Sequence, residues 1–415
     1  MASEIKLYAG VAAVIVAFSA ASFLVLSGGL SLRSSSATFT GQSVTLIGLS
    51  YRPVGGANVQ LGQVTLEGTN ISPPQVAALF APTDSGDGSR EAFGKMTAEK
   101  ILAPEIRIDL PGGGVAIVLR DVVAAHLQNG KATQITFGSS YIDVKIDAQN
   151  TKFTLGPLTL TDADAGFLFA ALKGSREDSD FLRYGSLKWD GMTGATGGDS
   201  TSPFGAAITV GATTGDNTSS DGMPKSFEFD VGSIHVAPNG GVVSAAMFTK
   251  SGLTGLELSL HIKGSFDWPS HRLFVDDARL SLSGLGTLSM KGVLGNADKG
   301  LFAFDKDVRF AAIQALTMQS AALRFSNESL VEKVVSLMNG SSTKVGDIAL
   351  ANLPATLLGS HARPADSTAV TAFAAGPRNI TLAIKPRPGT SPMSLRALTS
   401  VRDLSWFDTQ IRAND

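Results

Sequence analysis

The 415-residue sequence predicts an α+β fold that is mainly β, with an N-terminal transmembrane helix ahead of long amphipathic antiparallel strands and a few short capped helices. Three observations predict it. Between Lys6 and Arg33 the only ionisable group is Tyr8, and this run exceeds the roughly 20 apolar residues that a membrane-spanning helix needs. Beyond it, apolar residues recur at every second position over long stretches, the period of a strand with one wet face. The helical patterns that interrupt these stretches are short and carry start and stop signals.

The anchor comes first. Its apolar run continues through Phe23, Leu24, Val25 and Leu26, past the small residues Ala17, Ser19, Ala20 and Ala21 at which a signal peptide would be cleaved. An uncleaved anchor spanning residues 7–32 is therefore expected, with a cleaved signal peptide as the competing reading. Lys6 favours a cytoplasmic N-terminus under the positive-inside rule, and Arg33 opposes it. The expected organisation is an anchor with a short cytoplasmic N-terminus over residues 1–33, a β-rich extracytoplasmic region over 34–190, a flexible linker or long loop over 191–225, and a β-meander with helices over 226–415.

The strands follow. Leu256, Leu258, Leu260 and Ile262 alternate with Glu257, Ser259, His261 and Lys263, and the sequence PSHR after Trp268 supplies a turn. The stretch LSLSGLGTLSMKGVLGN, from Leu280 to Asn296, then places Leu280, Leu282, Gly284, Gly286, Leu288 and Met290 on even positions and Ser281, Ser283, Thr287 and Ser289 on odd ones. Ile106, Ile142, Val144, Phe227, Phe229, Val231, Ile380, Leu382 and Ile384 repeat the pattern elsewhere. Glycines on the apolar face permit curvature and leave space above a sheet, or let a helix pack closely.

The best helix is SNESLVEKVVSLMNG, with Asn327 as N-cap, Leu330, Val334, Leu337 and Met338 on one face, and Gly340 as the stop. DADAGFLFAALKG, from Asp162 to Gly174, also suits a helix, with acids in its first turn. Shorter candidates begin near Pro74, Glu91, Asp121, Asp366 and Ser394. The stretch from Thr83 to Arg90 and the longer one from Gly191 to Lys225 are rich in Gly, Ser, Thr and Asp and read as loop and linker.

Composition removes several chemistries. With no cysteine there is no disulfide framework, thiolate nucleophile or zinc–thiolate site. A net charge of -2 with both signs interspersed gives no footprint for nucleic acid. The five histidines are scattered. Of these, His261 and His271, near Asp276 and Asp277, are the only pair that suggests a metal, and a solvated histidine on a polar strand face explains His261 as well. Ser341 and Lys344 have Ser-x-x-Lys spacing but follow the helix stop at Gly340 and lack companion motifs. No catalytic residue, metal ligand or cofactor is assigned, and a non-enzymatic role is expected.

The single anchor, the phrases ARLSLSGLGTLSMKGVLGN, LRFSNESLVEKVV and RNITLAIKPRPGTSPMSL, and the long amphipathic strands resemble those of uncharacterised periplasmic proteins of Gram-negative bacteria over roughly Ser226 to Asp415. In architecture the chain more distantly resembles the AsmA-like envelope proteins. That resemblance implies a single-pass inner-membrane protein with its body in the periplasm, and a lipid-holding groove. The chain is too short for a groove that spans the envelope.

Two roles follow as expectations. The first is a membrane-anchored scaffold or interaction module, with an envelope protein or a second copy as partner. The second is binding or transfer of a lipid or other hydrophobic ligand, facing Leu256, Leu258, Leu260, Ile262, Leu280, Leu282, Gly284, Gly286, Leu288 and Met290.

Overall fold

A computed structural model describes residues 36–51, 58–72, 75, 94–110, 112, 114–146, 149–165, 184–196, 205–220, 223–240, 242–302, 306–339, 345–358, 363–398 and 407–415. The anchor expected at residues 7–32 lies outside them, as do Gly340, Ser341 and Lys344. Among the described residues no helix is long and apolar enough to cross a membrane. The chain is mainly β, and it divides into two compact units, residues 1–216 with 238–244, and residues 217–237 with 245–415.

The first unit is an antiparallel sheet that forks. Strands β1 (Ser36–Thr40), β2 (Ser43–Tyr51), β3 (Asn58–Glu67), β4 (Ala98–Asp109) and β5 (Val115–Gln128) pair in succession. The second half of β5 continues into β6 (Lys131–Phe137), whereas its first half pairs with β7 (Ser140–Ile146). The fork falls at Asp121, whose φ of 48° interrupts extended backbone. A helix expected from Asp121 is therefore not formed, because Val115–Gln128 is a continuous pairing strand. One branch runs through β8 (Gln149–Leu155), β11 (Met192–Thr196) and β12 (Ala206–Val210). The other runs through β9 (Leu158–Asp164), β10 (Ser186–Trp189) and β13 (Thr213–Ser220). Leu46, Ile108, Val118, Ile142, Phe153 and Met192 are almost fully buried in its core.

Two expectations change here. Gly191 to Lys225 is not a linker over its described residues. It holds β11, β12 and β13, whose short alternations, such as Ile208 and Val210 buried about Thr209, are too brief to stand out among Gly, Ser and Thr. Asp162 to Asp164, expected to open a helix, closes β9 instead, since Ala163 is fully buried opposite Ala132. The remainder of that expected helix lies almost wholly outside the described residues.

The second unit is a sequential antiparallel meander of seven strands: β14 (Met223–Pro238), β15 (Leu256–Asp267), β16 (Arg272–Leu282), β17 (Gly286–Gly295), β18 (Thr317–Asn327), β19 (Asn379–Pro386) and β20 (Phe407–Ala413). Helices fill the connections: α1 (Val242–Ser251), α2 (Lys306–Ala315) after a 3-10 turn at Lys299–Phe302, α3 (Leu330–Met338), α4 (Val345–Ala351), α5 (Leu353–Leu358), α6 (Pro364–Ala375) and α7 (Leu395–Leu398). The stretch Leu280–Asn296, read as one strand, is two. β16 ends at Leu282, Gly284 takes a φ of 67° in the turn, and β17 starts at Gly286. The even–odd pattern survives the reversal because Leu282 pairs with Gly286, so even positions share a face on both strands.

Helix starts follow side-chain chemistry. Asn327 Oδ1 accepts the Val331 amide at 2.9 Å ahead of α3, and Ser394 Oγ accepts the Ala397 amide at 3.2 Å in α7. α6 begins at Pro364, a residue suited to the first helical position, rather than at Asp366.

Candidate functional site

Register places one apolar face across the second unit. In one row Val231, Leu260, Leu280, Leu288, Phe325 and Ile380 are successive partners from β14 to β19. The next row is Phe229, Ile262, Ala278, Met290, Leu323, Leu382 and Ile411. Leu256 and Leu258 extend the face on β15, and Leu282 and Gly286 close it at the β16–β17 turn.

The face is covered at its margins. At one side α6 lies over β19 and β20, with Val370, Leu358 and Ile411 in a buried cluster and Phe373 edge-on to Phe325 at 6.2 Å. Towards one end of the strands Phe227, Phe266, Trp268 and Phe302 form an aromatic cluster, in which Phe266 and Trp268 stack at 4.8 Å. Its Trp268 indole donates to the Pro224 carbonyl at 2.6 Å.

The middle is open. Leu280, Leu288 and Met290 are 38%, 43% and 36% exposed, whereas Ser281 and Ser289 on the other face are only half-buried. One helix, α3, is tied to the hairpin that carries these leucines. It is rooted at the β16–β17 turn, where Ser329 Oγ donates to the Gly284 carbonyl at 2.7 Å and the Leu330 amide to the Leu285 carbonyl at 3.0 Å. From there it packs on α4. Val334 and Met338, one turn apart on its apolar stripe, are each 44% exposed. A helix stripe and a sheet face thus both remain half-open around one hairpin turn.

The glycines do not make this opening. A Cβ on Gly286 would lie 2.4 Å from the Ser326 carbonyl oxygen, and on Gly292 2.7 Å from that of Ser320. A Cβ on Gly264 would meet the Phe274 carbonyl oxygen at 2.5 Å and the Phe227 ring at 2.7 Å. These positions need glycine for close strand and ring packing, and Gly284 needs it for its left-handed turn.

The opposite face carries a charge ladder. His261 Nδ1 lies 2.6 Å from Asp230 Oδ1, and its Nε2 lies 4.0 Å from Asp277. Lys263 pairs with Glu228 at 2.7 Å, a hydrogen bond that raises the lysine's pKa, and Arg279 pairs with Asp277 at 3.0 Å. Glu228, Asp230 and His261 lie close enough together to hold a cation, yet each acid already has a cross-strand partner. His271 stands apart from them in the β15–β16 turn, with a φ of 52° and Nδ1 3.3 Å from the Ala297 carbonyl.

An open cleft of about 690 Å³ crosses β16–β20, between a row of Phe274, Val293, Ser320 and Lys385 and a row of Lys291, Ala322 and Ala383. By register these rows belong to the charged face. On its β20 side Asp408 pairs with Lys385 at 3.3 Å and Arg363 at 3.4 Å.

Sequence periodicity marks every residue of the open face but gives no sign of which ones the helices leave uncovered. A family model described as an uncharacterized protein matches residues 279–407, from the end of β16 to the first residue of β20. No curated protein and no solved structure matches the chain.

Proposed function

We propose that the second unit is a binding module for an extended apolar ligand of the acyl-chain class, held on the open face between Leu280, Leu288 and Met290 and the apolar stripe of α3. The observation that carries this reading is the joint exposure of those three sheet residues and of Val334 and Met338 on the helix that starts at their hairpin turn. Exposed side chains that adjoin one another in register form a patch rather than scattered surface leucines, and patches of this kind mark binding sites. Covering them removes apolar area from water at about 25 cal/mol per Å².

Placement belongs to the same proposal. The apolar run from Leu7 to Leu32 supports a single membrane span, and the resemblance to AsmA-like envelope proteins supports a body on the periplasmic side of a bacterial inner membrane. In that position the module would take its ligand from, or deliver it to, the bilayer that anchors it.

A second reading, a protein interaction module, has its own support. α2 turns Phe310 and Ile313 outward at 61% and 41% exposure, one helical turn apart. Purification of the full chain in mild detergent, followed by mass spectrometry of co-purifying lipids and proteins, separates the two. Bound acyl lipid that is lost in Leu288→Asp supports the first reading. A stoichiometric protein partner, retained in Leu288→Asp and lost in Phe310→Asp, with no lipid present, overturns it.

A further inference from the structure

Two ammonium groups tie α1 to α3. Lys250, in the last turn of α1, donates from Nζ to the Leu337 carbonyl near the end of α3 at 3.1 Å. Lys333, on α3, donates from Nζ to the Ser251 carbonyl at the end of α1 at 3.1 Å. Each lysine thus caps the other helix, a favourable use of cations at helix C-termini. That use is incomplete. An ammonium has three N–H donors, and each of these two has one such bond and no carboxylate within ion-pair range among the described residues. The adjacent acid, Glu332, is held instead by Asn327 Nδ2 at 2.9 and 3.1 Å.

The pair sits beside the apolar stripe. Leu337, whose carbonyl receives Lys250, belongs to that stripe, and Lys333 lies one turn before Leu337 on the same helix face. Two positive charges therefore border an apolar helix stripe whose exposed members, Val334 and Met338, lie one turn apart.

We propose that the ligand is an anionic amphiphile with a phosphomonoester head. Lys250 and Lys333 donate to its oxygens while its chain lies along Val334 and Met338 towards Leu288. The charge selects the head: a phosphomonoester carries about −1.5 to −2 at neutral pH, which two ammonium groups neutralise. Charge-assisted hydrogen bonds beside an apolar surface are stronger than neutral ones. The proposal rests on the acyl-chain reading of the open face.

The test uses the full chain in amphipol with dodecyl phosphate, dodecanol and inorganic phosphate as probes. Dodecyl phosphate is expected to bind at least about tenfold more tightly than dodecanol at low salt, with the advantage shrinking as salt is added. In the Lys250→Gln, Lys333→Gln double variant the advantage should vanish while dodecanol binds as before. Lys250→Arg with Lys333→Arg, which keeps both charges, should retain it. Should the glutamine variant fail to fold, the salt titration of the unaltered chain decides. Equal, salt-independent binding of both dodecyl probes overturns the head assignment and leaves the acyl-chain reading standing. Inorganic phosphate bound as tightly as dodecyl phosphate also overturns it, as a free-anion site. Failure of both dodecyl probes to bind overturns the acyl-chain reading itself.

Discussion

The Asp366 carboxylate accepts the backbone amide of Ile411 at 3.0 Å, joining the first turn of α6 to the last strand of the meander. The same carboxylate accepts the Thr409 hydroxyl at 2.6 Å and Arg363 Nε at 3.0 Å. Ile411 pairs with Leu382 on β19, and its amide points to the helix. A strand edge with free amides is a template for unwanted pairing, and α6 occupies that edge here. With Asp366 only 3% exposed, the contact is both a hydrogen-bond anchor and part of the core.

Acid should release this anchor. Burial opposes ionisation of Asp366, but hydrogen bonds from Thr409, Arg363 and the Ile411 amide outweigh it and hold the carboxyl below its ordinary value. A depressed folded pKa gives stability that is present above the unfolded carboxylate value of about 3.9 and is lost as pH falls through the folded one. Asp366→Ala should destabilise the second unit by about 3 kcal/mol at neutral pH, since the Ile411 amide and Arg363 lose their partner. Denaturant titrations at pH 7 and pH 3 check this. The gap between variant and parent should narrow at the lower pH, and an equal gap at both would show that the fold does not hold the Asp366 carboxyl below its ordinary value.

The open face should behave differently from the helix-covered margin. Ile411→Ala removes a side chain from the buried cluster with Val370 and Leu358, and should cost about 2 to 5 kcal/mol. Leu288→Ala, at 43% exposure, should cost less than about 1 kcal/mol. Paired urea melts measure both. A Leu288 loss as large as that at Ile411 would mean that the face is covered in solution.

How much of this was legible in the sequence depends on the length of the pattern. The apolar face of β15 to β17 was readable because Leu256 to Ile262 and Leu280 to Met290 keep a period of two, but the reversal between β16 and β17 was not, because a three-residue turn preserved parity across the hairpin. β11 to β13 were not, because they are only five to eight residues long and rich in Thr, Gly and Ser, which also make loops. The charge ladder needed pairing partners that sequence spacing does not supply: Asp230 meets His261 from 31 positions away. Lys250 and Lys333 stood in no motif at all, and only the fold brings α1 to α3.

The charge ladder should contribute little stability. His261 is a quarter exposed, and Asp230, Glu228 and Lys263 are 40 to 51% exposed, so solvent screens these pairs. His261→Gln should change stability by less than about 1 kcal/mol. Urea melts at low and high salt check this, and a larger loss that persists at high salt would indicate a buried role for the imidazole.

The hairpin glycines give the last prediction, and their roles, close strand packing and a tight turn, differ from the curvature, space above the sheet or close helix packing expected of glycine on the apolar face. Gly286 sits opposite Asn327 with the Ser326 carbonyl oxygen 2.4 Å from where a Cβ would lie, and backbone of this kind cannot swing aside as a side chain can. Gly286→Ala should therefore push β17 from β18 and cost about 1 to 3 kcal/mol. Gly284 has nothing within 4 Å of a Cβ, so Gly284→Ala should cost only the left-handed backbone penalty of about 1 to 2 kcal/mol. The two also differ in what they move. β17 carries Leu288 and Met290, so displacing it should weaken acyl binding, whereas Gly284→Ala should leave binding intact as long as α3 keeps its hold on the Gly284 carbonyl. Melting and dodecanol binding on both variants test this together. A Gly286→Ala variant with unchanged binding would show that the ligand does not rest on β17.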